Sequence, residues 1–560
     1  MSATPFSDTR SVALADLNHQ AVSEGRIRIR ISLVLFLGMM ALVLIRLAEV
    51  ALLSPDAHRR AAPQEITQQR ADITDRNGML LATTLSSYSL YAEPSRIWNP
   101  EETADALLSI RPDLKRERVV EQLASDRAFV WIDRGLSPKE KQQVFELGYP
   151  GFGFRKEPKR VYPNAPLAAH LIGWTDIDMA GVAGVERAFD ERLTADTAPD
   201  LTLALDGRAQ FAMAEELQKS VEYFSALSAS AVLMDVTSGE IIAMVSVPDF
   251  NSNDYGAASD EARFNHAAMS TYDLGSVFKP LTVAMVLEDG LTTRDEMFDV
   301  HKPYRVLNKF IRDDHPSPVP LNLDYVLAES SNRGTAMLAQ RIGKERQQHY
   351  LRELGLLDRV PYELAESARP QIQEFWGEMA TVTVSYGHGL SVTPLALTTA
   401  VAALLNDGVY VEPTVLTRDV TRPPKTHRVF SSEVAQDLVD MMRLTVMEGT
   451  GKNADVPGFG VMGKTGTAEK PIAGGYDTDR LVSSFVAGFP HSSPKYVLLV
   501  TLDEPKGLPE TFGYATAGWN AAPTAGAIIE RIGPMLPGAR DYPKQALQDV
   551  QVSASVEALR

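Results

Sequence analysis

Three short polar motifs hold the residues of this 560-residue chain best suited to covalent chemistry. In Gly275-Ser276-Val277-Phe278-Lys279 a hydroxyl precedes an amine by three residues. If Ser276 opens the helix predicted by the apolar residues that follow, Lys279 lies one turn on and faces the same way. An amine in that place can take the serine proton and make the hydroxyl a nucleophile. Helix-start amides also favour negative charge near the serine, and Pro280 falls in the first turn, where its missing N–H costs little. The second motif, Ser330-Ser331-Asn332, offers further hydroxyls and an amide. The third, Lys464-Thr465-Gly466-Thr467, sits on an apparent strand. Its glycine would let a substrate backbone approach, the strand can pair with an extended peptide, and the lysine can hold a carboxylate.

Taken singly, these motifs are weak. A Ser-x-x-Lys arises about twice by chance in a chain of this length. A second copy, Ser492-Ser493-Pro494-Lys495, does occur, but its proline and the strand-like run after it make it a turn. Ser-Ser-Asn alone is a polar turn, and a lone Lys-Thr-Gly says little. Among other polar residues, His388 reads as part of a turn between Gly387 and Gly389, and Asp503-Glu504 as a solvated strand end. His266 and His315 are isolated. No metal-ligand spacing is present and no cofactor is implied.

The elements that must position these motifs form an α+β pattern. Ala231–Val236 and Glu240–Val247 are apolar runs joined by Thr237-Ser238-Gly239, a β-hairpin signature. Gly460–Ala468, Ser484–Pro490 and Tyr496–Leu502 predict three more strands. Between them lie helical patterns at Val277–Glu288, Leu323–Arg341, Gln371–Val384, Thr393–Leu405 and Glu433–Met447. Strands at both ends with helices between predict one sheet assembled from distant segments. Upstream, Arg70 to Pro199 mixes strand-like runs (Tyr88–Tyr91, Phe129–Ile132) with helical ones (Thr103–Leu108, Lys139–Glu146) and carries no persuasive acidic catalytic pair.

Length and composition set outer limits. A chain this long exceeds one compact core, so two or three folded units are expected. A net charge of −17 argues against a nucleic-acid partner. The absence of cysteine excludes disulfides, thiolate metal sites and a thiol nucleophile. Ile31 to Ile45 is an unbroken apolar run whose continuation to Leu53 is interrupted only by Arg46 and Glu49. The full segment is long enough to span a hydrocarbon core of roughly 30 Å. Arg26, Arg28 and Arg30 precede it and favour a cytoplasmic N-terminus. The leader is too long and polar for a cleaved signal peptide, so an uncleaved anchor is expected. The expected division is a tail (1–30), the anchor (31–53), a membrane-proximal module (54–200), a catalytic domain (201–537) and a polar C-terminal tail (538–560).

In this order and context, the three motifs form the set of penicillin-binding proteins and serine β-lactamases. The chain is identified as a member of the class B penicillin-binding proteins, and is most similar to the division-specific branch (penicillin-binding protein 3, FtsI type). Supporting stretches are RADITDRNGMLLA from Arg70, RVYP from Arg160, HLIG from His170 and GVAGVE from Gly181. Others are DVTSGEIIAMVSVPDFN from Asp235, SYGHGLSVTP from Ser385, and Gly449-Thr450-Gly451. Val277 stands where many relatives have Thr, and Ala517-Gly518-Trp519 replaces a more usual glycine pair. The resemblance implies a central antiparallel sheet with helices on both sides, an all-helical subdomain and an elongated pedestal. It implies a serine D,D-transpeptidase that cross-links septal peptidoglycan and is acylated by β-lactams. Ser276 would be the nucleophile and Lys279 its base. Ser330 and Asn332 would relay a proton and hold the peptide, while Lys464, Thr465, Gly466 and Thr467 would bind substrate. Implied partners are lipid-linked stem peptides, a SEDS-type glycosyltransferase and other divisome membrane proteins. The implied location is the inner membrane, with the catalytic domain periplasmic. An elongation-specific transpeptidase, a β-lactam hydrolase or sensor, and a divisome scaffold are the competing readings.

Overall fold

The structure, a computed structural model, describes residues 30–45, 70–195, 198–419, 421–472 and 475–542. Residues 30–45 form a helix with its apolar side chains exposed, about 24 Å long at 1.5 Å per residue. Among the described residues no helix is long and apolar enough to cross a membrane. The remainder of the expected anchor, residues 46–53, lies outside the described residues, as do residues 1–29 and 543–560.

The N-terminal module is built on β1 (Ile73–Thr74), β2 (Leu80–Ala92), β3 (Val130–Leu136), β4 (Phe152–Val161) and β5 (Leu201–Thr202). Their order is β3-β2-β1-β5, with β4 also pairing β2. The expected strand Tyr88–Tyr91 lies within β2, and Phe129–Ile132 overlaps β3 from Val130. The expected helices are Pro100–Leu108 and Pro138–Glu146, each with a proline in its first turn. Asn99 caps the first, and a Ser137–Glu140 capping box starts the second. Helix Arg116–Leu123 and strand β4 were not expected from the sequence. The motifs that begin at Arg70, Arg160 and Gly181 meet in one largely buried ion cluster. Arg70 contacts Glu186 at 2.5 Å and Asp190 at 2.6 Å, and Arg160 contacts Glu186 at 2.7 Å. Arg70 and Arg160 also donate to carbonyls or hydroxyls of Glu186, Arg70 and Thr84, tying β2 and β4 to the segment after His170.

The second body opens with α1 (Gly207–Tyr223), β6 (Ser228–Asp235) and β7 (Ile241–Val247), then α2 (Lys279–Glu288), α3 (Leu323–Ala328) and α4 (Asn332–Glu353). There follow α5 (Glu378–Ser385), α6 (Pro394–Leu405), α7 (Ser432–Met447), β8 (Met462–Ile472), β9 (Gly475–Phe489), β10 (Tyr496–Asp503) and α8 (Ala521–Ile532). The sheet order is β8-β9-β10-β6-β7, antiparallel throughout. Alternate strand residues serve opposite faces. Ala231, Leu233, Leu498 and Val500 pack with α1 and α8, whereas Val232, Met234, Val497 and Leu499 pack with the helices of the middle segment. Both faces are therefore buried, which is why these strands read as continuous apolar runs.

Two expectations are corrected. Leu323–Arg341 is not one helix: Ser330 adopts a left-handed φ of 58°, ending α3, and Ser331 Oγ accepts from the Gly334 N–H at 3.0 Å to cap α4. The apolar period continued through the break and hid it. Gln371–Val384 is helical only from Glu378, because Gln371 and Ile372 pair instead with Ser391 and Leu390.

Candidate active site

Ser276 lies in a 3-10 turn, Gly275–Phe278, that runs into α2. In such a turn residues three apart eclipse, which brings Lys279 to the side of Ser276. Ser276 stays half-buried while Lys279 is fully buried. The Lys279 Nζ donates to the Ser330 Oγ at 3.1 Å and to the Ser330 main-chain oxygen. Both acceptors face the amine because of the left-handed backbone at 330, a conformation costing roughly 1–3 kcal/mol for a non-glycine residue. Burial pushes the Lys279 amine down to about 7, against the pull of Asp313 and Asp314.

Asp313 organises the second motif. It accepts from Ser331 Oγ at 2.9 Å and from the Arg333 N–H at 3.0 Å, and the Arg333 guanidinium lies at 3.8 Å. Asn332 Nδ2 donates to the Arg312 carbonyl at 3.2 Å.

Lys464, on β8, is fully buried. It donates to the Thr465 carbonyl at 3.1 Å and to the Thr465 hydroxyl at 3.3 Å, with Thr450 Oγ1 at 3.5 Å. The Thr450 and Thr465 hydroxyls are 2.7 Å apart. Burial holds this amine well below the usual lysine range, and the nearby Lys279 pushes it the same way. No carboxylate pairs with Lys464 among the described residues.

Close backbone packing joins the serine turn to β8. A Cβ on Gly275, whose φ is +63°, would lie 2.6 Å from the Thr467 carbonyl oxygen. A Cβ on Gly466 would lie 2.3 Å from the Leu274 oxygen. The room left by Gly466 is thus filled by the serine turn itself, not kept for a substrate backbone. Thr467 Oγ1 accepts from the Ala517 N–H at 3.0 Å. The three motifs, whose Ser276, Ser330 and Lys464 are 54 and 134 residues apart along the chain, therefore meet around one cleft.

Residues 229–530 match the penicillin binding protein transpeptidase domain, and residues 65–198 match the penicillin-binding protein dimerisation domain. The chain belongs to the penicillin-binding protein transpeptidase family. It is 42% identical over 486 residues to the probable peptidoglycan D,D-transpeptidase FtsI of Caulobacter vibrioides, covering 84% of this chain and 82% of that protein. To the peptidoglycan D,D-transpeptidase FtsI of Escherichia coli K12 it is 29% identical, covering 88% of each. The crystal structure of penicillin binding protein 3 from Mycobacterium tuberculosis complexed with aztreonam is similar, with a TM-score of 0.67 and 26% identity. That match covers 85% of this chain and 97% of the other.

Other polar residues of this transpeptidase-family chain are accounted for structurally. Ser492–Lys495 is a turn after β9, its Lys495 Nζ donating to the Pro537 carbonyl at 2.9 Å. Asp503 and Glu504 are not solvated: both are buried, Lys470 contacts them at 2.5 and 2.9 Å, and Arg480 contacts Glu504 at 2.6 Å. No cluster of His and carboxylates suited to a metal ion occurs among the described residues. Sequence reasoning missed Asp313, which had no local signal, and Asp273. Asp273 accepts from the Gly389 N–H at 2.8 Å, Ser391 Oγ at 2.6 Å and Tyr476 OH at 2.9 Å. Thr450 was visible only as the centre of Gly449-Thr450-Gly451.

Proposed function

We propose that this chain is a serine-type peptidoglycan D,D-transpeptidase that works through an acyl-enzyme on Ser276. The observation that carries this reading is the buried Lys279 amine, bonded to Ser330 beside the serine turn and near enough to Lys464 to push that amine down. With its amine pushed down to about 7, Lys279 is substantially neutral at physiological pH and takes the Ser276 proton. Ser276 Oγ attacks the carbonyl of the penultimate D-Ala of a donor stem peptide. Ser330, sharing its hydroxyl with Lys279, passes the proton to the departing D-Ala amine, and Asn332 holds the peptide. Lys464 with Thr465 binds the terminal carboxylate. The backbone N–H groups of Ser276 and Thr467 stabilise the oxyanion, each such donor being worth about 3 kcal/mol. An amine of a neighbouring stem peptide then displaces Ser276 and completes the cross-link. A β-lactam mimics the donor and leaves a persistent acyl group.

In the same reading, residues 31–53 anchor the chain in the inner membrane with the N-terminus cytoplasmic. Residues 54–200 form the pedestal and 201–537 the periplasmic transpeptidase domain. The role is septal, beside a SEDS-type glycan polymerase and other divisome proteins. Ser276→Ala should lose all labelling by a fluorescent penicillin while its thermal transition is kept. Undiminished labelling of that folded variant removes Ser276 as nucleophile. A fluorescent fusion spread along the sidewall, with none at midcell, removes the septal assignment.

A further inference from the structure

Beside the serine turn is a cavity of about 450 Å³ whose walls include Phe375, Glu378, Tyr386, His388 and Tyr476. Its inner wall runs directly into the nucleophile's support. Gly387 accepts from the Gly275 N–H at 3.1 Å, and a Cβ at 387 would lie only 2.0 Å from the Gly275 oxygen. The His388 ring sits between Tyr386 and Tyr476, with both centroid separations 5.6 Å. Its Nδ1 is buried and has no hydrogen-bond partner among the described residues. Tyr476 and the turn carrying His388 are both fixed by Asp273. Glu378, held by Gln340 Nε2 at 2.6 Å, carries no ion pair among the described residues. Aromatic faces and an unpaired carboxylate attract a cation, and the acyl-accepting amine of a stem peptide is an ammonium in water.

We propose that this cavity receives the ammonium-bearing side chain of the acceptor stem peptide and that His388 is its general base. The inference rests on the acyl-enzyme reading above and deepens it. The ammonium gives one proton to the neutral imidazole, and the freed nitrogen lone pair bonds to the acyl carbon. The ester C–O bond to Ser276 breaks while the second proton of the attacking nitrogen passes to the neutral Lys279, which hands it to Ser276 Oγ. The imidazolium then releases its proton to solvent, so one proton is set free in this half-reaction, matching the one that the released D-Ala amine takes up in water. Burial keeps the imidazole below its ordinary value and therefore neutral at physiological pH. Asp273, the Tyr386 main chain and Glu469 pull it up, and Lys279 pushes it down. The phenols of Tyr386 and Tyr476 flank it.

The test separates the two half-reactions in the full-length protein. A D-alanyl thioester serves as donor, with or without a diamino acid as acceptor. His388→Gln should be acylated by penicillin within about twofold of wild type. Its ratio of aminolysis to hydrolysis should fall at least tenfold, and the acid limb of aminolysis should move up toward the acceptor's own amine pKa. An unchanged ratio with an unmoved limb overturns the proposal. So does an equal loss of acylation, which would make His388 a support of the turn. Should His388→Gln fail to fold, Glu378→Gln decides: a several-fold rise in acceptor KM at constant kcat supports the cavity, and an unchanged KM overturns it. A wild-type protein that penicillin does not acylate would instead sink the function proposed above.

Discussion

In the pedestal, Arg70 and Arg160 are buried against Glu186 and Asp190, two cations facing two anions. In the cleft, Lys279 and Lys464 are buried with hydroxyls and carbonyls as their hydrogen-bond partners. The acidic groups that influence Lys279 are Asp313 and Asp314, and neither makes an ion pair with it. Removing a charge from water is costly, and a matched, well-bonded partner offsets that cost. The pedestal has this offset and the cleft lacks it. One cluster therefore joins segments, and the other lowers the basicity of its amines, which for Lys279 favours the neutral state that proton transfer requires.

The contrast is broken most sharply at Lys279. Lys279→Arg places an always-protonated group where a base is needed. Acylation by penicillin should fall by roughly 10²–10⁴-fold, the range ascribed to general bases, while circular dichroism stays native. Stopped-flow acylation near the wild-type rate would show that Lys279 is not the base. In the pedestal the effect should move from rate to stability. Glu186→Gln leaves Arg70 and Arg160 without their shared carboxylate, and loss of one partner of a buried pair costs about 3–5 kcal/mol. Chemical denaturation would measure this, and a change below about 1 kcal/mol would mean that water or a neighbour already supplies the balance.

A smaller effect follows from pH. The Lys279 amine is pushed down to about 7 and must be neutral to act. Acylation should therefore be flat above that value and fall about tenfold per unit below it, each unit corresponding to about 1.4 kcal/mol. A limb centred near the free-lysine value would show that burial does not control the base.

How much of this contrast was readable from sequence depends on distance along the chain. Ser276 and Lys279 are three residues apart, and local helix geometry sufficed to pair them. The sheet was legible too, because strands buried on both faces read as apolar runs. The break at Ser330 was not, since an apolar helical period runs across it while the left-handed turn is imposed by Lys279 and the α4 cap. Asp313 and Asp273 lay beyond local reasoning for the same cause: each organises a segment 18 or more residues away through bonds that only the fold creates. Asp503-Glu504 looked solvated at a strand end, and became buried because Lys470 and Arg480 on the β8–β9 hairpin fold over it.

Lys464 offers the finest probe of the comparison. Its amine is held well below the lysine range by burial and by Lys279, so its folded-state pKa lies below its unfolded one. Between those two values the unfolded chain binds more protons, and stability at this site rises with pH. Replacing Lys464 by methionine removes the desolvated amine while keeping most of its volume. The variant should be more stable than wild type at pH 7 by about 1–2 kcal/mol, the scale of an incompletely compensated buried polar group. That gain should shrink as pH approaches 10. Carboxylate recognition should be lost, so that activity falls as stability rises. A Lys464→Met protein that melts below wild type at pH 7 would mean that the amine is compensated after all, and the cleft would then resemble the pedestal.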